Sequence, residues 1–257
     1  MYFAVVSIGL HLYLLVIAKG TRLSPEDPHS YSLPRQIKTT HIHWEFNVNF
    51  DEKLLNGHVV LSLEKVHKKG VSNITSVPLD GKSLNIKEVI DLSCDCKLDY
   101  KYELRNAGDE IGDKFEIFLP KTKNKTLEIK ISYSTFPNLT AGKGGLNWFL
   151  PGETKIDHPF VFSQGQPIWA RAMFPCQDTP AVRATFTARV SAPKHLSILM
   201  SALRDGRETV EGEKRIAKFR QKIPVQSYLI AFAVGNFVSK RIGNYDFKHS
   251  LKICCNY

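Results

Sequence analysis

Apolar and polar residues alternate along most of this chain. Trp44, Phe46, Val48 and Phe50 are each separated by a polar residue or by Asn, and the segment DEKLLNG then turns the chain into Val59, Leu61 and Leu63. The same period of two returns at Leu127, Ile129, Ile131 and Tyr133, and again at Phe186, Ala188 and Val190. A period of two places alternate side chains on opposite faces of a strand, so each run predicts a strand with one buried face. Tyr228 to Val234 is continuously apolar and predicts a strand covered on both faces. Outside the first residues no segment sustains a helical period over 12 or more positions. Strand signals every 8–12 residues therefore predict an all-β chain of packed or curved antiparallel sheets.

Punctuation and hydropathy divide the chain. Tyr2 to Ala18 is apolar apart from Ser7, Gly9 and His11, and Val16-Ile17-Ala18 has the small-residue ending of a signal cleavage site. Residues 1–20 are expected to be a signal peptide, with a signal anchor or an untargeted extension as alternatives. A secreted or secretory-pathway location follows from that leader and fits the sequons at Asn73, Asn124 and Asn138; a cytoplasmic location is the alternative. Residues 21–36 are polar with three prolines and read as a linker.

A length of 257 residues suffices for one large β domain or two small ones. The net charge of +10 comes from scattered Lys and Arg that alternate with apolar residues, with no block of five like charges, so the basic residues read as solvated strand faces. Nucleic-acid binding is not expected. Five cysteines do not make a framework: Cys94 and Cys96 are close neighbours, Cys254 and Cys255 adjacent, and Cys176 lies apart. Such neighbours seldom meet disulfide geometry. No Cys or His spacing matches a structural zinc site, and His41 and His43, which share a strand face, read as two partly exposed histidines.

The densest segment is Pro159 to Arg183, with four prolines and three charges in 25 residues. Proline fixes φ and removes a backbone donor, so this backbone is tightly restricted. Within it, FSQGQPIWARAMFPCQDTP (162–180) resembles the N-terminal domain signature of the zinc aminopeptidase family that includes leukotriene A4 hydrolase and aminopeptidase B. The resemblance extends from the lead-in at Gly145 through residues 190–206 and 221–243, and more weakly back to about Thr40. It implies an aminopeptidase N-terminal β domain over 37–243, built as a saddle-like mixed sheet with smaller sheets against it, and a divergent tail over 244–257.

The resemblance also implies roles. Gln166 matches the residue that lines the cleft and helps hold a peptide's free α-amine, and Gln164, two residues earlier on the same face, is a second substrate-binding candidate. The alternative is that both amides only satisfy nearby backbone groups. Pro167 stands where leukotriene A4 hydrolases usually carry Ala, which favours peptides over an epoxide substrate, and a cis Gln166–Pro167 bond is implied. Arg171 and Asp178 are expected to form a structural ion pair, and Cys176 to be an inert buried thiol.

Relatives of this kind carry zinc on a His-Glu-x-x-His helix with a distant Glu, beside a Gly-x-Met-Glu-Asn segment. None of these occurs in the 257 residues. No catalytic or metal-binding residue, and no cofactor, is therefore expected in this chain, while zinc and peptide substrate are implied for full-length relatives. The chain reads as the N-terminal part of such an enzyme, truncated before the catalytic domain and inactive alone. The alternative is a secreted, non-catalytic module that binds a peptide or protein partner. A cleft face without its catalytic domain is expected to expose an apolar patch near Trp148, Phe149 and Trp169 and to self-associate.

Overall fold

A computed structural model describes residues 24–237, apart from residue 26 and the segments 67–73, 106–109, 122–123, 138–144 and 153–156. The leader, the tail, Asn73, Asn138, Cys254 and Cys255 lie outside the described residues.

In chain order the first strands are β1 (Ile37–Asn49), β2 (Leu54–Lys65), β3 (Ser76–Gly81), β4 (Leu84–Asp91) and β5 (Cys96–Lys97). There follow β6 (Tyr100–Glu103), β7 (Asp113–Phe118), β8 (Thr126–Thr135), β9 (Gly145–Phe149) and β10 (Phe160–Gln164). The last are β11 (Ala184–Pro193), β12 (Ser197–Met200), β13 (Leu203–Arg204), β14 (Thr209–Glu211), β15 (Lys214–Val225) and β16 (Phe232–Gly235). Two short 3-10 turns, Ala170–Ala172 and Ser227–Leu229, are the helical elements among the described residues.

The strands form three sheets. A nine-stranded sheet runs β13-β15-β11-β1-β2-β8-β4-β5, with β14 also paired to β15. The second sheet is β12-β16-β10-β9 and the third β3-β7-β6. The four alternating runs of the sequence become β1, β2, β8 and β11, the adjacent centre of the large sheet. Their apolar positions point into one core, with Trp44, Val59, Leu61, Ile129, Ile131 and Val190 all fully buried. The large sheet is mixed because β1 pairs β11 in parallel while its other neighbour, β2, is antiparallel.

Three local features differ from the sequence reading. Tyr228 to Val234 is not one strand: it begins in the 3-10 turn and only Phe232 onward pairs, with β10 and β12. A continuous apolar run carries no period, so it marks burial without fixing the backbone. The stretch read as a linker is packed in part: Ser30, Tyr31 and Ser32 are buried. Cys94 and Cys96 are paired through their sulfurs across the turn that holds Asp95 at φ 54°, with Cα atoms 5.2 Å apart.

Candidate functional site

The segment from β10 to β11 has a rigid half and an open half. The rigid half is centred on Arg171, whose side chain has no solvent exposure. Its Nε donates to Asp178 Oδ2 at 3.0 Å, and its Nη2 to the carbonyls of His29 (2.9 Å) and Asp178 (3.0 Å). Nη1 donates to the carbonyl of Ile111 and lies 3.8 Å from Asp80 Oδ1. Burial disfavours the guanidinium charge, but Asp80 and Asp178 more than offset this and lift its pKa above the ordinary arginine value. Burial leaves the Asp178 carboxyl above its usual range, although Arg171 and the Ser227 hydroxyl, 2.6 Å away, pull it down. The expected Arg171–Asp178 pair is thus present, inside a larger network.

Asp80 and Gln177 complete that network. Asp80, on β3, accepts from Ser30 Oγ (2.7 Å), Ser32 Oγ (2.9 Å), Tyr31 N (2.8 Å) and Asp178 N (2.9 Å). Gln177 Oε1 accepts from Thr39 N at 2.8 Å and its Nε2 donates to the Ile37 carbonyl at 2.9 Å, tying the turn to β1. Tyr133 bridges β8 to the same turn: it donates to the Met173 carbonyl at 2.8 Å and accepts from Trp44 Nε1 at 2.7 Å. Cys176 is buried as a free thiol, and burial, with Asp178 and Asp80 nearby, pushes its pKa up, away from thiolate chemistry.

The open half is Gln164-Gly165-Gln166-Pro167. Gly165 lies against the Ser227–Leu229 turn so closely that a Cβ would sit 2.5 Å from the Tyr228 carbonyl oxygen. Its carbonyl accepts from Trp169 N at 2.8 Å, which closes the turn containing the cis Gln166–Pro167 bond. The backbone is therefore held while Gln164, Gln166 and Pro167 are exposed. Among the described residues neither glutamine amide has a hydrogen-bond partner.

The aromatic face beside this turn is not the one predicted. Trp148 points inward, 6% exposed, against Phe50 with ring centroids 5.6 Å apart. Phe149, on the opposite face of β9, instead stacks on Phe160 and Phe162 at 5.9 and 6.1 Å. Trp169 is half-buried beneath the Lys82 ammonium, 4.7 Å from the ring centre. Adjacent strand residues must face opposite ways, so Trp148 and Phe149 could not both be outside.

Residues 28–229 match the family model described as the peptidase M1 N-terminal domain. The chain is 34% identical over 223 residues to leukotriene A-4 hydrolase of Xenopus laevis, covering 84% of this chain and 34% of that protein. It is 33% identical over 227 residues to leucine aminopeptidase 2 of Candida glabrata, covering 88% of this chain and 32% of that one. Among solved structures, yeast LTA4 hydrolase in complex with bestatin superposes with a TM-score of 0.70 at 29% identity, over 90% of this chain and 34% of that one. An M1 zinc metallopeptidase from Deinococcus radiodurans bound to a Tyr-Ser-Ala substrate shares the fold at a TM-score of 0.64 and 21% identity, over 83% of this chain and 45% of that one. This chain spans about a third of the length of the curated relatives it matches.

Proposed function

Because this chain belongs to the peptidase M1 N-terminal domain family, we propose that it supplies one wall of the substrate cleft of a zinc aminopeptidase resembling leukotriene A4 hydrolase. In this reading Gln166 accepts a hydrogen bond from the free α-ammonium of a bound peptide, and Gln164 backs it from the end of β10. An amide oxygen suits that task because it accepts from an ammonium without adding a second charge that must be desolvated. Pro167 holds the turn between the glutamines and the buried Arg171 network. The observation that carries the reading is that two exposed, unpartnered amides are mounted on a backbone fixed from both sides.

Zinc in such enzymes polarises the scissile carbonyl and activates a water. The ligand set it uses there is not available here, since the 257 residues contain no His-Glu pair, and no hydrolytic step is assigned to these residues. What the chain contributes is binding and orientation of the peptide's amino end. The half-buried aromatics Phe149, Phe162 and Trp169 would pack against the remainder of the enzyme, or against a second copy when that is absent.

Chemical-shift titration with a free tripeptide and its N-acetylated form tests this. Shifts at residues 163–169 are expected with the free amine alone, and Gln166→Ala should abolish them. An equal response to the acetylated peptide, or none to either, would overturn the reading. The purified chain should not hydrolyse aminoacyl-anilides with or without zinc; chelator-sensitive turnover would contradict the division of labour. An in-frame His-Glu-x-x-His segment in the full-length message would favour the enzyme over a stand-alone peptide-binding module.

A further inference from the structure

The face of the large sheet opposite the core carries a second group of side chains. On β1, His43 and Glu45 are two residues apart and share a face. In the antiparallel register with β2, Glu45 lies directly opposite His58, and His43 opposite Val60. One ring nitrogen from each histidine and a carboxylate oxygen of Glu45 all lie within 4.8 Å of one another. All three side chains are half-buried, so they are partly ordered by their neighbours and still reachable from solvent.

The surroundings fix the donors. Thr187 of β11 sits opposite His43 in the parallel register, with its hydroxyl 2.8 Å from His43 Nδ1. A partner on one ring nitrogen sets the ring's orientation and leaves the other to offer, as in protein metal sites generally. Arg189 Nη1 donates to Glu45 Oε1 at 2.7 Å, so the carboxylate is held on one side and opposed by a positive charge. His41, also on β1, lies outside this group: its ring nitrogens face Thr185 Oγ1 (2.7 Å) and Thr187 Oγ1 (3.1 Å), the hydroxyl that also meets His43.

We infer that His43, His58 and Glu45 form a binding site for a first-row divalent ion that favours imidazole nitrogen, such as Zn²⁺ or Cu²⁺, clipping β1 to β2. Two imidazoles and one carboxylate are a recurrent donor set for such ions and leave coordination positions for water. On β8, Lys130 lies opposite Val60, two residues along β2 from His58. Lys130 and Arg189 work against a dication, so the site is one of moderate affinity. It shares no residue with the proposed cleft, and the two readings stand or fall separately.

Calorimetric titration of the chain with Zn²⁺ alone tests this, without reductant and with Cys254→Ser and Cys255→Ser removing the tail thiols. One equivalent should bind and raise the thermal midpoint. His43→Ala and His58→Ala should each weaken binding by at least about tenfold, and Glu45→Gln by less. Arg189→Leu should strengthen binding by freeing the carboxylate, and His41→Ala should leave it unchanged. No saturable uptake by the parent chain, or uptake that survives His43→Ala with His58→Ala together, would overturn the site. The parent titration decides the matter even if a variant folds poorly.

Discussion

Gln166 and Arg171 stand five residues apart in one turn and live under opposite rules. Arg171 is fully enclosed, and its guanidinium is met by two carboxylates and three carbonyls. Gln166 is exposed, with its amide left over. The contrast separates residues that hold the segment from residues that it presents. A buried charge survives only when fully paired, so its partners are dictated by the fold. An exposed amide is under no such demand, and its position beside so rigid a frame is what the proposed peptide-binding role draws on.

The sharpest way to break this contrast is to remove the frame. Arg171→Met should leave Asp80 and Asp178 buried without their cation and cost about 3–5 kcal/mol, read as a fall in the urea midpoint. A cost comparable with an exposed charge would show that water reaches the network. Tyr133→Phe should cost about 1–3 kcal/mol, since it strands the Met173 carbonyl and Trp44 Nε1 while keeping the ring. Gln166→Ala should change stability by no more than about 0.5 kcal/mol, the usual range for surface positions, while abolishing recognition of a free amine. A large stability loss there would place Gln166 with the frame after all.

A further effect, also small, concerns pH. Burial lowers the pKa of His41 and His58 below 6.5, so the unfolded chain takes up protons first as pH falls through that value. Stability contributed by the neutral rings is present above pH 6.5 and lost as pH drops toward their folded pKa values. With both rings half-exposed the loss should stay under about 1 kcal/mol, and His41→Gln with His58→Gln should flatten the slope between pH 7 and 5.

What the sequence disclosed follows the same division. Alternation found β1, β2, β8 and β11 because burial on one face of a strand imposes a period of two. The Arg171–Asp178 pair was legible because both residues lie in one apolar turn. Asp80 was not, since its partners Ser30 and Ser32 lie 50 and 48 residues away and only the sheet topology unites them. Gln177 reaches Thr39 across 138 residues for the same reason. His58 escaped notice beside His43 because cross-strand register, not spacing along the chain, makes them neighbours. That Trp148 and Phe149 face opposite ways was available from the pleat alone, while which of them turns inward was not.

The parallel pairing of β1 with β11 sets an order of events during synthesis. β1 and β2 can pair as a hairpin as soon as both have emerged, but the other edge of β1 waits for a strand 144 residues downstream. Until Ala184–Pro193 arrives, a growing chain displays a 13-residue strand with open hydrogen-bonding groups. On one side of that strand Trp44, Phe46 and Val48 still lack their full cover. Such an edge is a template for any other strand nearby, so this chain passes through its most association-prone stage on the ribosome, before the residues of its candidate site have been closed into place.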